Sequence, residues 1–225
     1  KSVMKVLQKH TPSGQKYYYS MKYRMHMDIS NTCTLECQEC LRQMLKLQDK
    51  KPSMGGRNLS LKDFKKIADV TAEISFNGQV SDPIFNPEFA EMLEYLDTVV
   101  SHEGKLRSTI YTAATTKKRN REWYKKAFNA CKEIQWFFGI DGLPEESCLY
   151  RENQDGEFLF DMMCMAAEMG NRTTWQYIVF NYNENSMNEA KKLAKENNLN
   201  LQFTYSSRWS NIPYLKPSAK YMSAL

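Results

Sequence analysis

"AEISFNGQVSDPIFNPEFAEMLEYLDTVV", residues 72 to 100, holds one complete structural unit. Residues 72–78 are rich enough in β-branched and aromatic side chains for a strand, and Gly78, Ser81, Asp82 and Pro83 are turn formers. Asn86 can cap a helix with Pro87 at its first position, and an apolar helical period then continues to residue 100. The same order of strand, polar turn and helix recurs on both sides. Strand-like runs occupy 23–29, 107–113, 134–140, 174–180 and 201–207. Segments of helical period occupy 59–73, 120–132, 156–170 and 186–198. Ser60 is placed to cap the first of these, with Leu61, Phe64, Ile67 and Ala68 on one face. Gly170 and Asn197 or Asn198 are placed to stop the last two. Strands alternating with helices predict an α/β fold with a parallel sheet of right-handed βαβ units. The repeat alone does not say whether that sheet closes.

The chain has 225 residues, 42% of them hydrophobic, enough to bury the core of one undivided domain. We expect a single domain over 1–225, with an N-terminal extension over 1–21 and a C-terminal tail over 208–225. A formal charge of +5 is too mild to imply a nucleic-acid surface. No run of 18 apolar residues is present, and the first 15 residues lack the apolar stretch of a signal peptide. A chain with this much core does not depend on disulfides, so the six cysteines point to a reduced, cytoplasmic protein without membrane partners.

In parallel α/β folds, functional groups collect where the strands end. The first strand is followed by "CTLECQEC", which places Cys33, Cys37 and Cys40 within eight positions. A closed structural zinc site takes four protein ligands, so three thiolates leave a coordination position open for chemistry. A zinc site completed by His26 or a distant cysteine remains an alternative at this point.

The CxxxCxxC loop after the first strand resembles the radical S-adenosylmethionine (SAM) superfamily. So do "ISFNGQVSDPIFNPEF", "FFGIDGL" with "YRENQDGEF", and "WQYIVFNYNEN" with "EAKKLAKENNL". Together these cover about residues 22 to 207, and the pattern is most similar to SPASM-related bacterial or phage members. No cysteine follows Cys164, so auxiliary clusters of that group are not expected. The resemblance implies a partial (β/α)6 TIM barrel. It implies that Cys33, Cys37 and Cys40 hold a [4Fe-4S] cluster whose fourth iron is left for SAM. An electron from the cluster then cleaves SAM to a 5′-deoxyadenosyl radical, which abstracts hydrogen from the substrate.

By the same resemblance, Gly78 and Asp82 approach the amino group of SAM, Thr112 and Asp141 its ribose, and Arg151 its carboxylate. Gln38 stands where many members place an aromatic residue beside the adenine. Gly139 replaces a serine common in relatives and so removes one polar contact. The polar groups expected nearest the substrate are Asn181, Asn183, Glu184 and Arg208. The resemblance implies a peptide or small-molecule substrate and a reductase or flavodoxin-type electron donor. Two alternatives are a nucleotide-modification enzyme like 7-carboxy-7-deazaguanine synthase and a non-catalytic iron–sulfur or zinc module. The basic run 117–126 reads as a solvated helix face, the methionines at 162, 163, 165 and 169 as packing, and Cys131, Cys148 and Cys164 as non-ligands.

Overall fold

A computed structural model describes residues 9–10, 16–17, 23–47, 56–103 and 107–222. Six strands, β1 (Tyr23–Met27), β2 (Thr71–Asn77), β3 (Arg107–Thr112), β4 (Gln135–Gly139), β5 (Arg172–Ile178) and β6 (Asn200–Thr204), form one sheet. Every pairing is parallel, and the spatial order is the sequence order. A doubly wound sheet reverses direction partway through; this one never does, as in a barrel. Among the described residues β1 and β6 each pair on one side only, which makes the array a partial barrel. Most of the expected N-terminal extension lies outside the described residues. The parts described, Lys9–His10 and Lys16–Tyr17, pair with each other in a separate antiparallel ladder.

Helices α1 (Leu41–Leu47) and α2 (Leu61–Ala68) join β1 to β2. One helix fills each later crossover: α3 (Phe89–Glu103), α4 (Arg121–Ala130), α5 (Gly156–Glu168) and α6 (Met187–Glu196). Local chemistry sets their ends. Ser60, Asn120 and Asp155 accept from the backbone N–H groups of Asp63, Trp123 and Phe158 at the starts of α2, α4 and α5. Gly170 (φ +81°) and Asn198 (φ +53°) take the left-handed conformation just beyond α5 and α6, as the sequence leads one to expect. Helix α3 departs from expectation, starting at Phe89 rather than beside Pro87. Asn86 accepts from Glu88 N at 2.9 Å and donates its buried amide to the carbonyls of Ile29 and Leu59, so it ties three segments together before the helix begins. Strand β5 starts and ends two residues earlier than expected, and Val179 and Phe180 pack in the core beyond it.

The apolar core lies between the helices and one face of the sheet. Phe76 meets Phe64 and Phe89, Trp136 meets Phe89 and Phe128, and Trp175 meets Phe160. Each fully buried side chain of this kind stabilises the fold by about 1.5–3 kcal/mol relative to exposure. The other face is mostly polar, with Tyr111, Phe137 and Ile178 as its apolar members toward the carboxyl ends. Ser75 bonds Thr109 across β2 and β3, Gln135 and Asn200 both donate to Thr174, and Asn77 lies 2.7 Å from His26. A closed barrel fills its interior with branched apolar side chains, whereas these strands alternate apolar and polar because only their outer face is packed. No helix among the described residues is long and apolar enough to cross a membrane.

Candidate functional site

The polar face opens at the carboxyl ends of the strands into a cavity of about 380 Å³. The loop after β1 forms one wall. It is held by atoms distant in sequence: Thr34 Oγ1 donates to Thr115 O, and Glu36 N donates to Glu152 O, each at 3.0 Å. Arg42, on α1, reaches back to donate to the carbonyls of Cys33 (2.8 Å) and Leu35. Cys40 N donates to Cys37 O, and Met44 N to Cys40 O, so the third cysteine opens α1.

Cys33, Cys37 and Cys40 form no disulfide, and all three line the cavity. Burial, and then the neighbouring Asp82 charge, pushes the Cys33 thiol up to about 12. It is neutral at pH 7 unless a bound cation stabilises the thiolate. Among the described residues no three His, Cys, Asp or Glu side chains are grouped to hold a single metal ion, and His26 is engaged by Asn77.

Gly78 and Asp82 also line the cavity. Gly78 is required by its own turn, because a Cβ there would lie 1.8 Å from Ser81 O. Asp82 is 4% exposed, and its carboxylate accepts from Ile84 N, Thr112 Oγ1, Ala113 N and Ala114 N. Burial raises its pKa, and these donors pull it back toward ionisation. The Asp82 side chain therefore fastens the β2 loop to the end of β3, and Thr112 spends its hydroxyl on that fastening.

Arg151 lines the cavity beside Gly139, where a Cβ would lie 2.8 Å from its Nη2. The guanidinium fills the space that a serine at 139 would occupy. Its Nε lies 2.7 Å from Asp141 Oδ2, off the hydrogen-bond axis, and the Asp141 charge holds Arg151 protonated against its burial. Asp141 itself is fully buried and outside the cavity lining; it accepts from Ile178 N and anchors Arg151. Gln38 also lies outside the lining, exposed, and accepts from Tyr214 OH.

Of the residues expected near a substrate, none whose side chain is described lines the cavity. Asn181 donates to Tyr214 O, Glu184 accepts from Ser218 N, and buried Asn183 caps its own turn through Phe180 N and Ile178 O. The Arg208 side chain lies outside those described. The cavity is lined instead by Asn77, Tyr111, Gln176 and Ile178 on the inner face, with Tyr205 and Ser206 after β6. The period-two alternation of "ISFN", "TIYT" and "TWQYI" is the sequence signal that marks the strand members of this set.

Neither a protein-family model nor a curated protein matches the chain. Solved structures do share its fold. Streptococcus suis SuiB bound to S-adenosylmethionine superposes over 91% of this chain and 47% of its own, with a TM-score of 0.67 and 14% identity. The protein anSMEcpe with bound AdoMet matches over 82% of this chain and 51% of its own, at TM-score 0.59 and 17% identity. TYW1 with a lysine-pyruvate adduct matches over 80% and 64%, at 0.53 and 11%. The chain spans about half the length of SuiB and anSMEcpe. With its sequential parallel sheet, open edges and outer helices, the chain has the partial (β/α)6 barrel fold of the radical SAM type.

Proposed function

We propose that the protein is a radical SAM enzyme acting on a peptide or small-molecule substrate. The observation that carries this reading is the placing of three cysteines, none in a disulfide, on one cavity at the carboxyl end of a partial barrel. Thiolates are the standard ligands of iron–sulfur clusters, and in a cubane each binds a different iron, so they line a wall without converging on one ion. The donor set fits a [4Fe-4S] cluster held by Cys33, Cys37 and Cys40. A cluster held there beside SAM would supply the electron for reductive cleavage of the SAM sulfonium.

The chain's own residues bind, orient and exclude water. Arg42 fixes the carbonyls of the cysteine loop, and the Asp82 clamp fixes the loop opposite. Arg151 lines the cavity and is anchored by Asp141, and in this reading its guanidinium takes the carboxylate of SAM. Support for a peptide substrate comes from SuiB solved with precursor peptide SuiA and anSMEcpe solved with Cp18Cys peptide. A reductase or flavodoxin-type protein completes the proposed system as electron donor.

Anaerobic reconstitution tests the reading. We expect a brown protein that releases 5′-deoxyadenosine from SAM with dithionite, and loss of both colour and product in Cys33→Ala, Cys37→Ala and Cys40→Ala. A colourless protein carrying stoichiometric zinc overturns the reading.

A further inference from the structure

Every charged side chain on the cavity wall has a commitment elsewhere. Among the described residues these are Arg42, Asp82 and Arg151. Arg42 donates to two loop carbonyls, Asp82 is filled by four donors, and Arg151 is paired with Asp141. The pairing neutralises the guanidinium that reaches the cavity from the connection between β4 and α5, and under the proposed function the carboxylate of SAM takes what remains of it.

The rest of the wall is uncharged and partly aromatic. Tyr111 and Phe137, on adjacent strands, stack at 4.5 Å between centroids with 12° between planes. Both are half-buried, but of the two only Tyr111 lines the cavity, so the wall carries one aromatic ring backed by a second. Ile178 and Tyr205 bring apolar surface from β5 and from the segment after β6. Between them stand the carboxamides of Asn77 and Gln176, which line the cavity from β2 and β5. Asn77 is held by His26 at 2.7 Å.

From this wall we infer that the reacting part of the substrate is an uncharged aromatic side chain of a peptide, lying against Tyr111, which Phe137 backs, with Asn77 and Gln176 along its edge. The nearest outside charge felt at Tyr111, Glu73, is paired with Arg24 at 3.3 Å, so a carboxylate, phosphate or ammonium placed there would be desolvated without an uncommitted counter-charge, which costs far more than a neutral ring loses. A ring gains from offset stacking and apolar contact, and a phenol or indole N–H meets amide partners. The inference rests on the proposed function for what is done to the ring; the wall itself belongs to the chain alone.

Competition NMR with blocked tripeptides, N-acetyl-Gly-Xaa-Gly-amide, tests the inference on the reconstituted protein in the presence of SAM. With Xaa as Tyr, Phe or Trp we expect binding at least tenfold tighter than with Asp, Lys or phosphoserine. Tyr111→Leu should remove most of that preference, and Tyr111→Phe should retain it. Equal binding across the panel, preference for a charged residue, or no binding by any peptide overturns the inference. So does a preference that survives Tyr111→Leu in a variant whose circular dichroism matches the wild type. The same samples keep the two readings apart. Cluster absorbance and 5′-deoxyadenosine release report on the proposed function, and the peptide preference reports on the wall whether or not SAM is cleaved.

Discussion

Gly139 and Arg151 reverse the meaning of a missing side chain. The family resemblance presents Gly139 as a lost hydrogen bond, but the space belongs to the Arg151 guanidinium, 2.8 Å from where a Cβ would stand. Gly139→Ser should therefore weaken SAM binding, not restore it. Overpacking against a buried, ion-paired tip costs about 1–3 kcal/mol, and titration calorimetry of the reconstituted variant should show roughly a tenfold or greater loss of affinity. Asp82 is a second reversal. Its four donors make it a fastening, so Asp82→Ala should lower the stability of the cluster-free protein by about 2–4 kcal/mol in urea denaturation, because several buried donors lose their acceptor together. A variant as stable as the wild type would show that the β2 loop is held by other means. The cysteines and the Gly78–Asp82 loop were legible because spacing and turn chemistry are local. The partners of Asp82 and Asp141 were not, since Ala113 and Ala114 come from just beyond β3 and Ile178 from β5.

Among the elements, strands and helices were legible as runs, and caps fixed most helix ends. Helix α2 offers a direct check. Ser60 Oγ accepts from Asp63 N at 3.2 Å, and Ser60→Ala should cost about 1 kcal/mol in thermal unfolding. Hydrogen bonds from Lys66 and then Ser60 hold the Asp63 carboxylate below its ordinary 3.8. Because the folded value is the depressed one, this contribution is intact above 3.8 and fades as pH falls through the lower folded value. A carboxyl NMR titration of Asp63 should give a midpoint below 3.8. The strands held a second message in their alternation. Phe76, Trp136 and Trp175 fall on the packed face, whereas Asn77, Tyr111, Phe137 and Gln176 fall on the open one. Locating runs without their faces finds the sheet and overlooks the wall of its cavity. The basic run 117–126 was likewise divided by packing: Lys117 and Lys118 are exposed, while Arg119 donates to the carbonyls of Ile84 and Asn86, and Tyr124 is fully buried.

Across the whole molecule, the repeat of βα units was enough to identify a parallel sheet, and its sequential order makes that sheet a partial barrel. What no local pattern revealed is the segment after β6, which crosses to the cysteine loop. Asn211 Nδ2 donates to Glu39 Oε2 at 2.9 Å, Tyr214 OH donates to Gln38, and Asn181 holds the segment from β5. Removing both cross-links with Asn211→Ala and Tyr214→Phe should speed maleimide labelling of the three loop thiols in the cluster-free protein severalfold, with little change in global stability, since exposed polar links of this kind are worth about 0.5–1.5 kcal/mol each. Equal labelling rates would show that the crossing segment does not cover the loop. These links span 172 and 176 residues of chain, whereas each strand pairs with the one made just before it. During synthesis on a ribosome, the sheet can therefore grow one strand at a time while the cysteine loop waits for its crossing segment. Until residues 211–214 emerge, the three thiols lack that cover, open to any oxidant that arrives first and, under the proposed function, to whatever delivers iron and sulfide.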